Sequence, residues 1–161
     1  LTVATFGQDM IHDLKTSVPN AENAHQYDPS MIKLIFCLHR HPDLNEEEFH
    51  RIWREEHAPL VQSLANTLAI RRYVQSHTAY SPVNPVLAAS RGAPTSYDGV
   101  AELWFDSVES LVSATSTPEG HAAGDTLLAD ERRFIDHARS PLFLVEEHVL
   151  VGALTGSPRA R

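Results

Sequence analysis

Four side chains able to move or hold protons stand at informative places in this chain: His57, Tyr73, His77 and Glu102. His57 closes an apolar stripe of Phe49, Ile52, Trp53, His57, Leu60 and Val61, whose three- and four-residue steps put it on one helix face. An imidazole at a helix end beside an indole suits proton transfer. Its plainer role would be to hydrogen-bond carbonyls freed by Pro59, which has no N–H for Glu55 and so predicts a kink or stop beside His57. In the run 70–77 (IRRYVQSH) a two-residue period groups Tyr73, Gln75 and His77 on one strand face and Ile70, Arg72 and Val74 on the other. The Tyr73 phenol would donate to a substrate oxygen, act as an acid if its pKa is lowered, or simply pack with a satisfied hydroxyl. Glu102 lies among apolar neighbours in GVAELWF, where a carboxylate is costly unless it is paired or bound to a ligand.

The aromatic and remaining ionisable residues extend the set. Trp53 and Trp104 would shape a cavity or fill the core, and His39 joins Trp53, His77, Glu102 and Trp104 as a candidate substrate contact. His39 and His41 share an i, i+2 spacing, and His50 and His57 are two helical turns apart. Neither is a recognised zinc pattern, so no metal is expected. Asp130 and Glu131 read as a solvated helix face or the rim of a site, and Cys37 as a small apolar residue in a buried strand. The chain carries no GxSxG, Walker or GxGxxG pattern, which argues against a serine hydrolase and against nucleotide cofactors.

Positioning these groups falls to a short list of elements. The first 30 residues read as an arm, with a short amphipathic helix before Pro19 and a polar linker after it. Ile32, Leu34, Phe36 and Leu38 alternate with Lys33, Ile35, Cys37 and His39 in a strand buried on both faces. Asn45 N-caps the next helix, three glutamates occupy its first turn, and Glu48 has capping-box spacing. A second strand at 70–77 leads into a connection at 78–97 with three prolines, read as a lid around a short helix from Val86 to Ser90. The third strand is Gly99 to Phe105, with Val100, Glu102 and Trp104 on one face and Ala101, Leu103 and Phe105 on the other. Asp106 and Glu109 have capping-box spacing for a helix, and Thr117-Pro118-Glu119 starts another that Gly120 and Gly124 weaken before it resumes at 127–135. A final strand at 142–151 ends the domain, taken as 31–152, and 153–161 is a polar tail. The order strand, helix, strand, strand, helix, strand predicts an α+β, ferredoxin-like split βαβ fold with a four-stranded antiparallel sheet. Helices on one face leave the other bare, and a homodimer pairing two sheets is the simplest cover.

At 161 residues the chain suits one domain, and its 42% hydrophobic and 21% charged content is that of an ordinary globular protein. A formal charge of −8 argues against nucleic acid and anionic membrane as main partners. No stretch approaches the roughly 20 apolar residues of a membrane span, and the N-terminus shows no charged-then-apolar signal pattern. A single cysteine permits a reducing compartment, so a cytoplasmic location is the expectation.

The run Trp53-Arg54-Glu55-Glu56-His57-Ala58-Pro59-Leu60, placed after a buried strand, resembles the helix signature of the EthD family within the dimeric α+β barrel superfamily. Arg91-Gly92, the stretch from Tyr97 to Ser107, Ala129-Asp130-Glu131 and Phe134-Ile135-Asp136 are similar to that family as well. The resemblance covers about Met31 to Gly152 and implies a dimer whose facing sheets enclose a cavity. The family ranges from accessory proteins of ether and aromatic degradation to dehydratases, decarboxylases and muconolactone isomerases. In methylmuconolactone isomerase relatives, a histidine at the position of His57 and a tyrosine at that of Tyr73 belong to the active site. Those relatives also use a histidine after the second strand, where this chain has none beyond His77 in the connection.

Residues and resemblance together lead to an expected cofactor-independent lyase or isomerase acting on a small hydrophobic, oxygenated or aromatic metabolite. His57 would be the acid or base and Tyr73 would hold a developing oxyanion. The alternatives are a non-catalytic ligand-binding accessory of an oxygenase pathway and a cofactor-less monooxygenase.

Overall fold

The computed structural model describes residues 31–148. Strands β1 (Ile32–Leu38), β2 (Arg72–His77), β3 (Gly99–Phe105) and β4 (Leu142–Val145) form one antiparallel sheet in the order β2-β3-β1-β4. Helix α1 runs over residues 46–64, α2 is Val83–Ala89, α3 is Val108–Thr115 and α4 is Pro118–Glu131, followed by a short turn of 3₁₀ helix at His137–Arg139. This is the ferredoxin-like arrangement, with α2 inserted between β2 and β3. The last strand, expected over 142–151, ends at Val145, and residues 146–148 are not extended into the sheet; 149–151, the expected arm at 1–30 and the tail at 153–161 lie outside the described residues. Among the described residues no helix is long and apolar enough to cross a membrane.

Sheet register sorts the side chains into two faces. Lys33 pairs with Trp104 and Ile35 with Glu102 across β1 and β3, while Arg72 pairs with Trp104 and Val74 with Glu102 across β2 and β3. Directly paired residues share a face. One face therefore carries Lys33, Ile35, Cys37, Val74, Val100, Glu102 and Trp104. The other carries Phe36, Leu38, Tyr73, Gln75, His77, Ala101 and Leu103. Helices cover only the second, where Phe36, Leu38 and Ala101 pack with Phe49, Ile52, Trp53, Phe134 and Ile135. Phe49, Trp53, Phe134 and Leu38 are fully buried there, each worth roughly 1.5–3 kcal/mol or more in transfer free energy.

Several local expectations need correcting. Pro59 neither ends nor breaks α1: the helix passes from α-helical Glu46–Arg51 through a π-helical stretch, Ile52–His57, and returns to α at Ala58–Leu64. The Ala58 N–H reaches back five residues to the Trp53 carbonyl. The widened turn carries the chain past the proline, which has no N–H to give the Glu55 carbonyl. The third helix is capped by Ser107 with Ser110 in a reciprocal capping box. Asp106 instead receives Arg71, at 2.8 Å from Nε and 2.5 Å from Nη2. Helix α4 runs unbroken through Gly120, where a Cβ would lie 2.0 Å from the Ala114 carbonyl oxygen. Close passage of α3 and α4 requires that glycine, and its helix propensity is secondary. The short lid helix starts at Val83, earlier than expected, with Pro85 inside its first turns.

Candidate functional site

The first half of α1 forms as its residues dictate. Asn45 Oδ1 accepts the Glu48 N–H at 2.9 Å, and Glu46, Glu47 and Glu48 occupy the first turn. From that start, His50 and His57 come to lie on the same side of the helix but in different surroundings. His57 is 5% exposed, its ring 5.1 Å from that of Phe134, and its Nδ1–H donates to Asp130 Oδ2 at 2.8 Å. Asp130 in turn accepts from Arg133 (2.6 Å), which also binds Glu56 (2.6 Å), itself bound by Arg51 (2.7 Å). A carboxylate that fixes one imidazole nitrogen is an arrangement seen in general bases. Here it also ties α1 to the C-terminal end of α4.

Tyr73 and His77 do come together with Trp53, as one network on the helix-covered face. The Tyr73 oxygen accepts from Trp53 Nε1 at 3.1 Å and from Gln75 Nε2 at 2.8 Å. Gln75 Nε2 also reaches the Trp53 carbonyl at 2.9 Å, so the side chain from β2 shares the acceptor of the π turn. His77 Nε2 donates to Gln75 Oε1 at 3.0 Å, its ring stacks on Trp53 at 4.3 Å, and its edge meets His50 at 4.6 Å. Burial, helped by the charges of His50 and Arg54, pushes the His77 pKa down to about 4, so this ring is neutral at pH 7. Burial raises Tyr73 against the hydrogen bonds from Gln75 and Trp53, which pull the other way. The phenol thus keeps its proton, and the lowered pKa needed for an acid role is not found. Gly99 backs the cluster, since a Cβ there would come 2.4 Å from Trp53 Cζ3.

Beside this network lies a cavity of about 540 Å³, roofed by the 78–97 connection and lined by His39, Arg40, His50, Tyr80, Tyr97 and Asp98 among others. Its volume is that of small-molecule sites, roughly 300–1,000 Å³. His50 Nε2 donates to the Asp98 carbonyl at 3.0 Å, which leaves Nδ1 as the ring's acceptor. The His39 ring lies tilted against that of Tyr97 at 4.8 Å, its Nδ1 3.8 Å from Asp98. Arg40 binds the Asp98 carboxylate through Nη1 and through its backbone N–H, and approaches Glu46 at 3.6 Å. His57, Tyr73, Trp53 and His77 do not line this cavity; His77 and Trp53 stand behind His50.

Glu102 and Trp104 face the other way. Glu102 takes Lys33 at 3.0 Å and Ser76 Oγ at 3.2 Å, so its cost of burial is met by a pair and not by a ligand. Trp104 lies between Lys33 Nζ (4.4 Å) and Arg72 Cζ (4.3 Å), a cation on each side of one indole. Lys33 also binds Glu147; burial works against its charge, but the two carboxylates outweigh it and raise its pKa. The single site expected from His57, Tyr73, Glu102 and Trp104 is thus split by the sheet, and His57 cannot reach a chamber on the bare face. Burial raises the Cys37 pKa, which leaves it a protonated thiol. Among the described residues no cluster of three or more His, Cys, Asp or Glu could hold a metal ion.

Sequence reasoning passed over His50 as an acid–base group and gave Gln75 and Asp98 no role. The signal for His50 was its place on the same helix side as Trp53 and His57. Asp98 offered none, since its partners Arg40 and His39 lie almost sixty residues earlier.

Comparison with known proteins agrees with this architecture. An ethyl tert-butyl ether d (EthD) family protein from Bacillus halodurans C-125 is 25% identical, with a TM-score of 0.50 over 73% of this chain and 99% of that one. An EthD-like protein from Ralstonia eutropha JMP134 is 19% identical, with a TM-score of 0.48 over 75% of this chain and 95% of that one. SnoaB, a cofactor-independent oxygenase from Streptomyces nogalater, is 12% identical, with a TM-score of 0.46 over 78% and 98%. No curated protein matches significantly. The EthD domain model matches residues 41–138, from the turn after β1 to the 3₁₀ turn before β4. That span takes in α1 and the connection that roofs the cavity and is more than half of the chain, so this protein belongs to the EthD family.

Proposed function

We propose that the chain is a cofactor-independent acid–base enzyme that isomerises, dehydrates or decarboxylates a small oxygenated ring compound held in the cavity beneath the 78–97 connection. The observation that carries this reading is the state of His50. Its Nε2–H is spent on the Asp98 carbonyl, so Nδ1 is left to take a proton from a bound molecule. Behind it stands His77, a ring held neutral at pH 7 mainly by burial, in edge contact at 4.6 Å. Tyr97 and Tyr80 offer rings for an aromatic substrate, and His39 is a second imidazole in the cavity lining. In this reading His57 and Tyr73 are supports: they fix α1 and Trp53, and through them the ring of His77.

The working unit in this proposal is a homodimer closed over the bare sheet face, where Ile35, Val74 and Val100 lie and Phe143 is 46% exposed. Phe143→Glu should sediment as a monomer where the parent sediments as a dimer; a monomeric parent would remove this part of the proposal.

The enzymatic reading is tested by incubating the full chain with a panel of lactones, hydroxylated aromatics and β-keto acids and following product by chromatography. Turnover that His50→Ala abolishes supports it. Binding without turnover by the parent protein would make the chain a ligand-binding accessory, and oxygen consumption on a dihydroquinone would make it an oxygenase.

A further inference from the structure

The roof of the cavity is apolar on its outer side. Helix α2 presents Val83, Val86 and Leu87 at helical spacing, and they are 52%, 66% and 59% exposed. Alongside Leu87 opens a groove of about 410 Å³, lined also by Ala79, Ala88 and Pro94. An outward apolar stripe beside a groove calls for a cover. Arg91, two residues past the helix, has only Ser90 as a partner among the described residues. A second copy of α2 is a poor cover. Seven helical residues measure about 10 Å by 10 Å, far less than the roughly 800 Å² a side of a stable pair. A segment tethered to the domain needs no such area, because its effective concentration is of millimolar order.

Residues 1–14 carry the matching pattern. Val3, Phe6, Met10 and Leu14 recur at three- and four-residue steps, with Asp9 and Asp13 along one edge of that stripe. The reach suffices. Residues 15–30 span up to about 50 Å when extended. The roof lies roughly 25 Å from Met31, the length of β1, whose far residue Leu38 pairs with Gly99 where the connection rejoins the sheet. We infer that residues 1–14 dock in cis on the outer face of α2, laying their apolar stripe along Val83, Val86 and Leu87 and setting Asp9 and Asp13 beside Arg91. The arm thereby closes the roof from outside, whatever chemistry the cavity carries beneath it.

Hydrogen exchange read by mass spectrometry on the full chain tests the docking from both sides. Phe6→Asp combined with Met10→Asp puts charge into the stripe. It should speed amide exchange over residues 83–89 by at least about tenfold while β1 and β3 exchange as in the parent. Leu87→Asp should speed exchange over residues 3–14 in the same way. Exchange equal to the parent's at either surface overturns the inference. So does protection of 83–89 that the parent loses on dilution from about 100 μM to about 1 μM, since the cover would then be a second copy.

Discussion

The two histidines of α1 are seven residues apart on one helix, yet the molecule uses them in opposite ways. His57 is enclosed: its ring is sealed against Phe134 and its Nδ1 is committed to Asp130, which belongs to a ladder of ion pairs running out to Arg51. His50 lines a cavity, is held by a backbone carbonyl, and keeps a nitrogen for something else. A well-oriented His–Asp pair attracts attention as a catalytic dyad, but orientation without access is a tie between two helices. The difference shows that accessibility has to be argued before basicity. Between the two rings, the π turn and the Trp53–Tyr73–Gln75–His77 network connect the closed end to the open one.

The largest effect should come from the closed end. His57→Ala takes one hydrogen-bond donor from the Asp130 carboxylate, which keeps Arg133, and opens a void beside Phe134, so it should cost about 2–5 kcal/mol of unfolding free energy, measured by urea denaturation. The protein that does fold should keep its turnover. Normal stability with lost turnover would reverse the comparison and return His57 to the role of base. At the open end His50→Ala should do the opposite. It should lower kcat/KM by about a hundredfold while leaving the urea midpoint near that of the parent, and a large shift of the midpoint would count against the division drawn above.

The smallest effect concerns pH and sharpens the role of the network between the two ends. His77 binds its proton at about 4 in the folded protein and at 6.5 when exposed, so between those values the unfolded chain carries the extra proton. Stability should therefore be level with respect to this group above pH 6.5 and fall as the pH drops toward 4. His77→Gln should show a smaller loss of stability than the parent between pH 7 and pH 5. Identical losses would mean that the ring is not held neutral by its contact with His50 and Trp53.

Much of the scaffold was legible in the residues. The strand β3 has the bounds its alternation predicts, and the faces of β2 and β3 follow from the two-residue period, because that period is a local property of extended backbone. The N-caps at Asn45 and Thr117 were readable for the same reason: cap and capped N–H lie three residues apart. Pro59 misled, since a proline's lost hydrogen bond is a local fact, whereas the π turn that passes it lies against β2, where Gln75, twenty-two residues from Trp53 in sequence, shares the Trp53 carbonyl. Gly120 misled in the same way, its purpose lying in the backbone of the neighbouring helix.

Residue types and periods thus determined the order of elements, the two faces of each strand and the stripe that buries α1, all of them consequences of backbone geometry over a few residues. Tertiary structure alone decided that Glu102 and Trp104 lie across the sheet from Tyr73, that Asp130 closes over His57, and that Asp98 holds His50 at a cavity. These depend on strand pairing and on contacts between segments as many as 73 residues apart. Such contacts are fixed only when the apolar faces have found one another, and no local spacing encodes them.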